Sequence, residues 1–229
     1  MDFSAFIPVK GNSSRLPGKN LLPFAESNLL VHKIRQLQGI DCLREIIVSS
    51  ESDRLLEIAR AEGVNAVKRP KQFSDESRPF CEFIDYISTL IPNGHLLWAN
   101  CTSPLVRLTT YRNAMLAYEP ALASGHDSLI SVTKLPHFAW DARGPLNFPQ
   151  SATIRDSQKL SPIYIMTCGI FMISADNLRF FRDHFGPNPY FFNVSAEESI
   201  DIDTELDYIL AKAIWASEYF IDKGEKCRQ

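Results

Sequence analysis

No stretch of this sequence approaches the roughly 20 consecutive apolar residues that a membrane-spanning helix requires. A helical membrane protein is thereby excluded. Cysteine is scarce and scattered: Cys42, Cys81, Cys101, Cys168 and Cys227 are odd in number and include no Cys-x-x-Cys pair. That argues against a disulfide framework or a zinc site and for free thiols in a reducing compartment. The histidines (His32, His95, His126, His137, His184) show no His-Glu-x-x-His spacing, so each reads as structural or exposed. Excess charge is also missing. A net charge of −3 gives no strong general field toward nucleic acid or an anionic membrane, so any polyanion site must be local. The opening Met1-Asp2-Phe3-Ser4 lacks the basic segment and apolar core of a secretory signal, and a cytoplasmic location is expected. Neither an internal repeat nor a low-complexity run is present.

What remains is the make-up of a globular protein. Hydrophobic residues form 45% and charged residues 22% of 229 residues, enough for one domain over 1–229 with a full core. Short apolar runs alternate with amphipathic ones. Strands are predicted at Phe3 to Val9, Ile46 to Val48, Val64 to Val67, Leu96 to Trp98, Ser128 to Val132 and Gly169 to Ser174. Helices are predicted at Leu29 to Gln38, Asp53 to Glu62, Glu82 to Leu90, Thr110 to Tyr118 and Glu205 to about Phe220. This alternation implies a mostly parallel α/β sheet, Rossmann-like, with helices on both faces. From about residue 136 to 165 the pattern breaks into Pro, Gly, Asn and Asp. The reading is an extension whose Phe138, Trp140 and Phe148 either form a dimer contact or cover the sheet locally.

Directly after the first strand comes Lys10-Gly11-Asn12-Ser13-Ser14-Arg15-Leu16-Pro17-Gly18-Lys19-Asn20. In an open α/β sheet, ligands bind beyond the carboxyl ends of strands. Gly11 and Gly18 permit close backbone approach and positive φ, exposing N–H groups to an anion, while Lys10, Arg15 and Lys19 add three cations and Ser13 a further donor. A triphosphate needs that combination. The loop is not a Walker A motif: six residues separate Gly11 from Gly18, and Asn20 stands where a metal-holding Ser or Thr would be. The simpler reading is a solvated basic turn.

Near the other end, Asp201 and Asp203 are two apart in an extended segment, so both carboxylates face one side while Ile200 and Ile202 face the core. Paired hard oxygen ligands suit Mg²⁺, which takes few carboxylates plus waters and phosphate oxygens. The competing reading makes Asp203 and Thr204 helix caps, with Asp207 completing a capping box. Cys101 lacks a matched histidine and reads as a small buried residue, and Tyr190-Phe191-Phe192 either packs or walls a pocket.

The stretch Ile7 to Asn20 resembles the N-terminal signature of the CMP-sugar synthetases, the acylneuraminate cytidylyltransferase family. Leu96-Leu97-Trp98-Ala99-Asn100-Cys101-Thr102-Ser103-Pro104-Leu105 resembles that family's second segment, and Ser199-Ile200-Asp201-Ile202-Asp203-Thr204 its third. The resemblance implies a nucleotidyltransferase fold, a homodimer built through the extension, CTP as donor, Mg²⁺ as cofactor and an acidic, sialic-acid-like sugar as acceptor. It implies catalytic roles for Lys19, Arg15 and Asp201, and nucleotide contacts from Lys10, Gly11, Asn12, Ser13, Arg15, Lys19, Asn20, Arg69 and Ser77. Asn100, Thr102 and Ser103 would lie toward the acceptor, and Asp201 and Asp203 on the metal. Departures are visible: Lys10 replaces an arginine, Asn12 a glycine, Ser14 a lysine and Asn100 a glutamine. The family's charged pair before the late strand is missing from Tyr164-Ile165-Met166-Thr167-Cys168-Gly169. A different acid (an octulosonic acid or a phosphonate), a different nucleotide, or a binding protein without turnover are the alternatives.

Overall fold

The structure, a computed structural model, describes residues 1–13, 15–74, 77–149, 156 and 159–217. The first elements are β1 (Phe3–Pro8), a short hairpin of β2 (Pro23–Phe24) and β3 (Ser27–Asn28), and α1 (Leu29–Gln38). There follow β4 (Leu43–Ser50), α2 (Asp53–Ala61), β5 (Asn65–Lys68), α3 (Phe80–Leu90) and β6 (His95–Trp98). The second half contains α4 (Leu108–Ala123), β7 (Ser128–Lys134), β8 (Trp140–Asp141), β9 (Gly144–Pro145) and β10 (Tyr164–Ser174). It closes with α5 (Ala175–Phe181), β11 (Pro189–Asn193) and α6 (Glu205–Trp215).

One seven-stranded sheet runs in the order β11-β7-β10-β6-β1-β4-β5. All its strands point one way except β10, which is antiparallel to both β6 and β7. The composition of β1 follows from its central place. Phe3, Ala5 and Ile7 enter one core and Phe6 enters the other, so a strand covered on both faces is apolar almost throughout. Ile46 and Val48 of β4 divide from Ile47 in the same way. Residues of α1, α2 and α4 cover the first face, and residues of α3 and α5 cover the second. After β1 the chain builds β4 and β5 on one side and then returns to build β6 on the other. That reversal creates a crevice at the carboxyl ends of β1 and β6.

The expected alternation is present, and α1 has the predicted bounds because Asn28 caps it, accepting from the Val31 N–H at 3.0 Å. Beyond the short hairpins β2–β3 and β8–β9, α5 and β11 went unread. The seven-residue α5 starts directly from the end of β10, where the Ser174 hydroxyl caps it. At the sheet edge, β11 opens on Pro189, which an edge strand tolerates. Its Tyr190 and Phe192 pack on the first core, so this aromatic run is packing and not a pocket wall. No helix among the described residues is long and apolar enough to cross a membrane.

Within the stretch from 136 to 165, β8 and β9 form a two-residue hairpin. Phe148 meets Phe138 and Trp140 edge-on at 4.9 and 5.5 Å, and Phe138, Trp140 and Leu146 remain exposed. Where this stretch reaches residues 150–155 and 157–158, and where the last helix was expected to reach Phe220, the sequence expectations lie outside the described residues.

Candidate active site

A cleft of about 430 Å³ opens at the carboxyl ends of β1 and β6, lined on one side by Lys10, Asn12, Ser13, Arg15, Lys19 and Asn20. The basic loop owes its shape to braces on the neighbouring strands. The Val9 N–H donates to Ser49 O at 3.0 Å, continuing the β1–β4 pairing. Asn20 is buried; its amide donates to Lys10 O at 2.7 Å and its carbonyl accepts from the Cys101 thiol at 3.2 Å. One side chain thus ties the loop to the end of β6. Gly18 takes the left-handed conformation, φ 66°, just before the 3-10 turn Lys19–Leu21 that orients Lys19.

Gly11 serves a different purpose from the one expected. Its φ is not positive, and its N–H donates to Glu51 Oε1 at 2.6 Å and is not offered to an anion. A Cβ there would lie 2.8 Å from that of Ser52, so the glycine is demanded by close packing. Burial opposes ionisation of Glu51, but bonds from the Gly11 N–H and the Ser74 hydroxyl, with Arg69 nearby, hold its carboxyl below the usual range.

Across the cleft stands the carboxylate segment. Ile202 is fully buried and its N–H donates to Thr102 O at 2.8 Å, while Asp201 and Asp203 on either side line the cleft. Period-two geometry explains this placement. Arg15 Nη1 lies 2.6 Å from Asp203 Oδ2, and Lys19 Nζ lies 2.9 Å from Asp203 Oδ1. Asp201 Oδ1 accepts from the Ser103 hydroxyl at 3.1 Å. Thr204 and Asp207 form the capping box of α6, so the segment both caps a helix and faces the cations. A third apolar cluster, which includes Phe24, Leu29, Leu105, Ile202 and Ala211, packs α6 beneath the loop and fixes the segment's height. Behind it the buried Glu198 carboxylate accepts from the Arg107 N–H at 2.9 Å and the Thr110 hydroxyl at 2.5 Å.

The remaining wall is aromatic. Phe80, Phe83 and Trp98 line it, with ring centroids 6.0 to 6.3 Å apart, and Arg78 stands beside them. Arg69 also lines the cleft and is fully buried, donating to Ser49 O at 2.9 Å and to Val9 O, with its guanidinium 5.1 Å from the Phe83 ring. Its Nε is buried with no hydrogen-bond partner. Asn100 reaches the cleft, but Trp98 Nε1 donates to its Oδ1 at 2.9 Å and its Nδ2 donates to Cys168 O at 3.1 Å. Thr102 lines the cleft; Ser103, Gly11 and Ser77 do not.

The structure therefore brings together most of the residues singled out in sequence, which stand far apart along the chain. Glu51, Glu198 and the aromatic wall were not anticipated. Glu198 carried a signal, three residues before Asp201, whereas Glu51 carried none because its partners arrive from distant loops. Among the described residues, no group of three or more His, Cys, Asp or Glu side chains is placed to hold a metal. Two carboxylates fit an ion that completes its shell with water and phosphate oxygens.

A doubly covered, mostly parallel sheet with a cation-lined cleft at its switch point defines an α/β domain with a candidate anion site at its strand ends. A family profile described as cytidylyltransferase matches residues 4–210, and the chain belongs to that family. It is 25% identical over 209 residues to an N-acylneuraminate cytidylyltransferase of Streptococcus agalactiae, aligning 89% of this chain and 51% of that protein. The chain thus spans about half the length of that relative. To the CMP-N,N'-diacetyllegionaminic acid synthase of Legionella pneumophila it is 28% identical over 232 residues, covering 93% of this chain and 96% of the other. A solved CMP:2-keto-3-deoxy-manno-octonic acid synthetase complexed with CTP superposes with a TM-score of 0.68 over 94% of this chain and 99% of the other, at 16% identity. At that identity the likeness is one of fold.

Proposed function

We propose that this protein transfers CMP from CTP to the anomeric hydroxyl of an acidic, nonulosonic sugar and releases pyrophosphate. One observation carries the reading: Arg15 and Lys19 converge with Asp201 and Asp203 on a single cleft. In the reaction the acceptor hydroxyl gives up its proton to Asp201 or to water as its oxygen bonds to the α-phosphorus, the α–β bridging bond breaks and pyrophosphate leaves with its charge. Lys19, Arg15 and Lys10 hold the triphosphate and stabilise the leaving group. Asp201 orients the attacking hydroxyl. Asp201 and Asp203 would hold Mg²⁺, which when bound neutralises charge on the triphosphate. Arg69, with a buried donor left over, faces the nucleoside.

Homodimerisation through the 136–165 extension belongs to the same proposal, supported by exposed Phe138, Trp140 and Leu146. So does a cytoplasmic site of action, supported by the free Cys42, Cys81, Cys101 and Cys168. A second acceptor class, an octulosonic acid or a phosphonate, is favoured by one feature. Both polar atoms of Asn100 are already engaged within the protein. Pyrophosphate release measured over four nucleoside triphosphates and a panel of acids, with and without Mg²⁺, decides. Release is expected with CTP, Mg²⁺ and a nonulosonic acid together; equal release with another nucleotide or acid overturns the assignment.

A further inference from the structure

Lys33, in α1, is fully buried, although it belongs to neither the basic loop nor the carboxylate segment. Burying an ammonium group is costly unless its protons are all satisfied. Here they are. Nζ lies 2.6 Å from Gln36 Oε1, 3.0 Å from Ser103 O and 2.8 Å from the Tyr111 hydroxyl, three acceptors for three protons. Tyr111 in turn donates to Gly169 O at 3.2 Å. Two neighbours on α1 hold the same loop, since His32 Nε2 bonds Pro104 O at 3.0 Å and Gln36 donates to Val106 O.

These contacts meet around one carboxylate. The Ser103 hydroxyl donates to Asp201 Oδ1, and next to Gly169 the Cys168 thiol is raised to about 11 by burial and by the nearby carboxylates of Asp201 and Asp203. Gly169 cannot carry a side chain, because a Cβ would lie 2.7 Å from Val106 Cγ2. Its backbone is therefore pinned from two sides. We propose that Lys33 is a positioning residue for the transfer reaction: it holds Ser103, whose hydroxyl bonds Asp201, directly, and through Tyr111 it holds Gly169, whose neighbour Cys168 lies beside the same carboxylate. This rests on the assignment of Asp201 to the reaction.

The clamp also responds to pH. Burial lowers Lys33 to about 7, against the opposing charges of Glu198 and Asp201. His32 is lowered to about 4 by burial and by Lys33, and Tyr111 is raised by burial and Glu198, so neither neighbour changes charge near neutrality. A neutral Lys33 has two protons for three acceptors. Tyr111 must then turn its hydroxyl toward Nζ and release Gly169.

Two variants test the proposal: Lys33→Met, which keeps the apolar stem, and Tyr111→Phe, which keeps the ring and the Lys33–Ser103 bond. The first readout is the alkylation rate of Cys168 by iodoacetamide, followed by peptide mass spectrometry. The second is the Mg²⁺ dependence of pyrophosphate release. Folded Lys33→Met should alkylate several-fold faster at Cys168. It should also need roughly 10-fold more Mg²⁺ at half-saturation, with little change in KM for CTP. Tyr111→Phe should move both in the same direction by less, and the double variant should match Lys33→Met. In the parent protein, pyrophosphate release should change as pH passes about 7, and that change should vanish in Lys33→Met. Unchanged alkylation and Mg²⁺ dependence in folded Lys33→Met overturn the proposal; if that variant does not fold, an unchanged Tyr111→Phe does so alone. Should the parent protein release no pyrophosphate with any nucleotide and acid, the functional reading fails, and the alkylation rates still decide whether Lys33 holds this site.

Discussion

At one end of the cleft, Lys19 and Arg15 close on Asp203, Ser103 grips Asp201, and Asn20 and Glu51 brace the loop from behind. At the other end, Phe80 and Trp98 present ring faces, and Arg78 leans on Glu82 at the surface. The first region is dense with directional bonds between segments distant in the chain. The second consists largely of apolar contact, which is non-directional and forgiving of substitution. Under the proposed function the first end would hold phosphates and a metal, which requires its charges to be fixed closely. A wall that sorts nucleosides or sugars by shape can vary.

The largest effect should come from Asp203→Ala, which removes the partner of both cations. Mg²⁺-dependent pyrophosphate release should disappear, while circular dichroism and Tm change little because the side chain is partly exposed. Full activity in that variant sinks the carboxylate's role. Next, Lys19→Ala should lower kcat by roughly 10²-fold or more, the scale of losing one charge-stabilising group. Arg15→Ala should cost less, since its side chain is 64% exposed against 12% for Lys19, and an equal loss would overturn that ranking. Ile202→Ala should cost about 2–5 kcal/mol of unfolding free energy in a urea titration, because the cavity opens beneath the carboxylates. By contrast, Phe80→Ala should change KM for a substrate several-fold and leave Tm and Mg²⁺ dependence alone, since the ring is already 45% exposed. A collapse in kcat there would mean the two ends are not separate in function.

The smallest effect concerns pH. His32 is lowered to about 4, by burial first and by Lys33 second. Between about 4 and 6.5 the unfolded chain binds a proton that the folded protein refuses, so stability rises with pH across that window. The contribution is fully present above 6.5 and lost as pH falls through 4, amounting to roughly 3 to 3.5 kcal/mol. His32→Gln should flatten that part of the stability profile, and an unchanged slope would remove His32 from the account.

The strand-and-helix alternation was legible because a strand covered on both faces is apolar along its length, and the helices carried their own periodicity. The capping box at Thr204 and Asp207, the alternation Ile200-Asp201-Ile202-Asp203 and the left-handed Gly18 are local features that were read before any coordinates. The reason for Gly11 was misread. Only the approach of Ser52, from the loop after β4, shows that packing and not anion binding requires it. Ser77 was placed at the nucleotide by a short local match and lies off the cleft wall. Lys33 carried no signal, since a lysine inside an amphipathic helix reads as exposed.

By itself, the sequence determined which residues carry charge, which segments can form strands and helices, and which side of a strand each residue faces, because these depend on near neighbours. Only the tertiary structure decided that Arg15 and Lys19 meet Asp203 across separations of 188 and 184 residues. It also decided that three protons of a buried ammonium find three acceptors. Such meetings depend on how layers pack around the sheet, and no local preference encodes them.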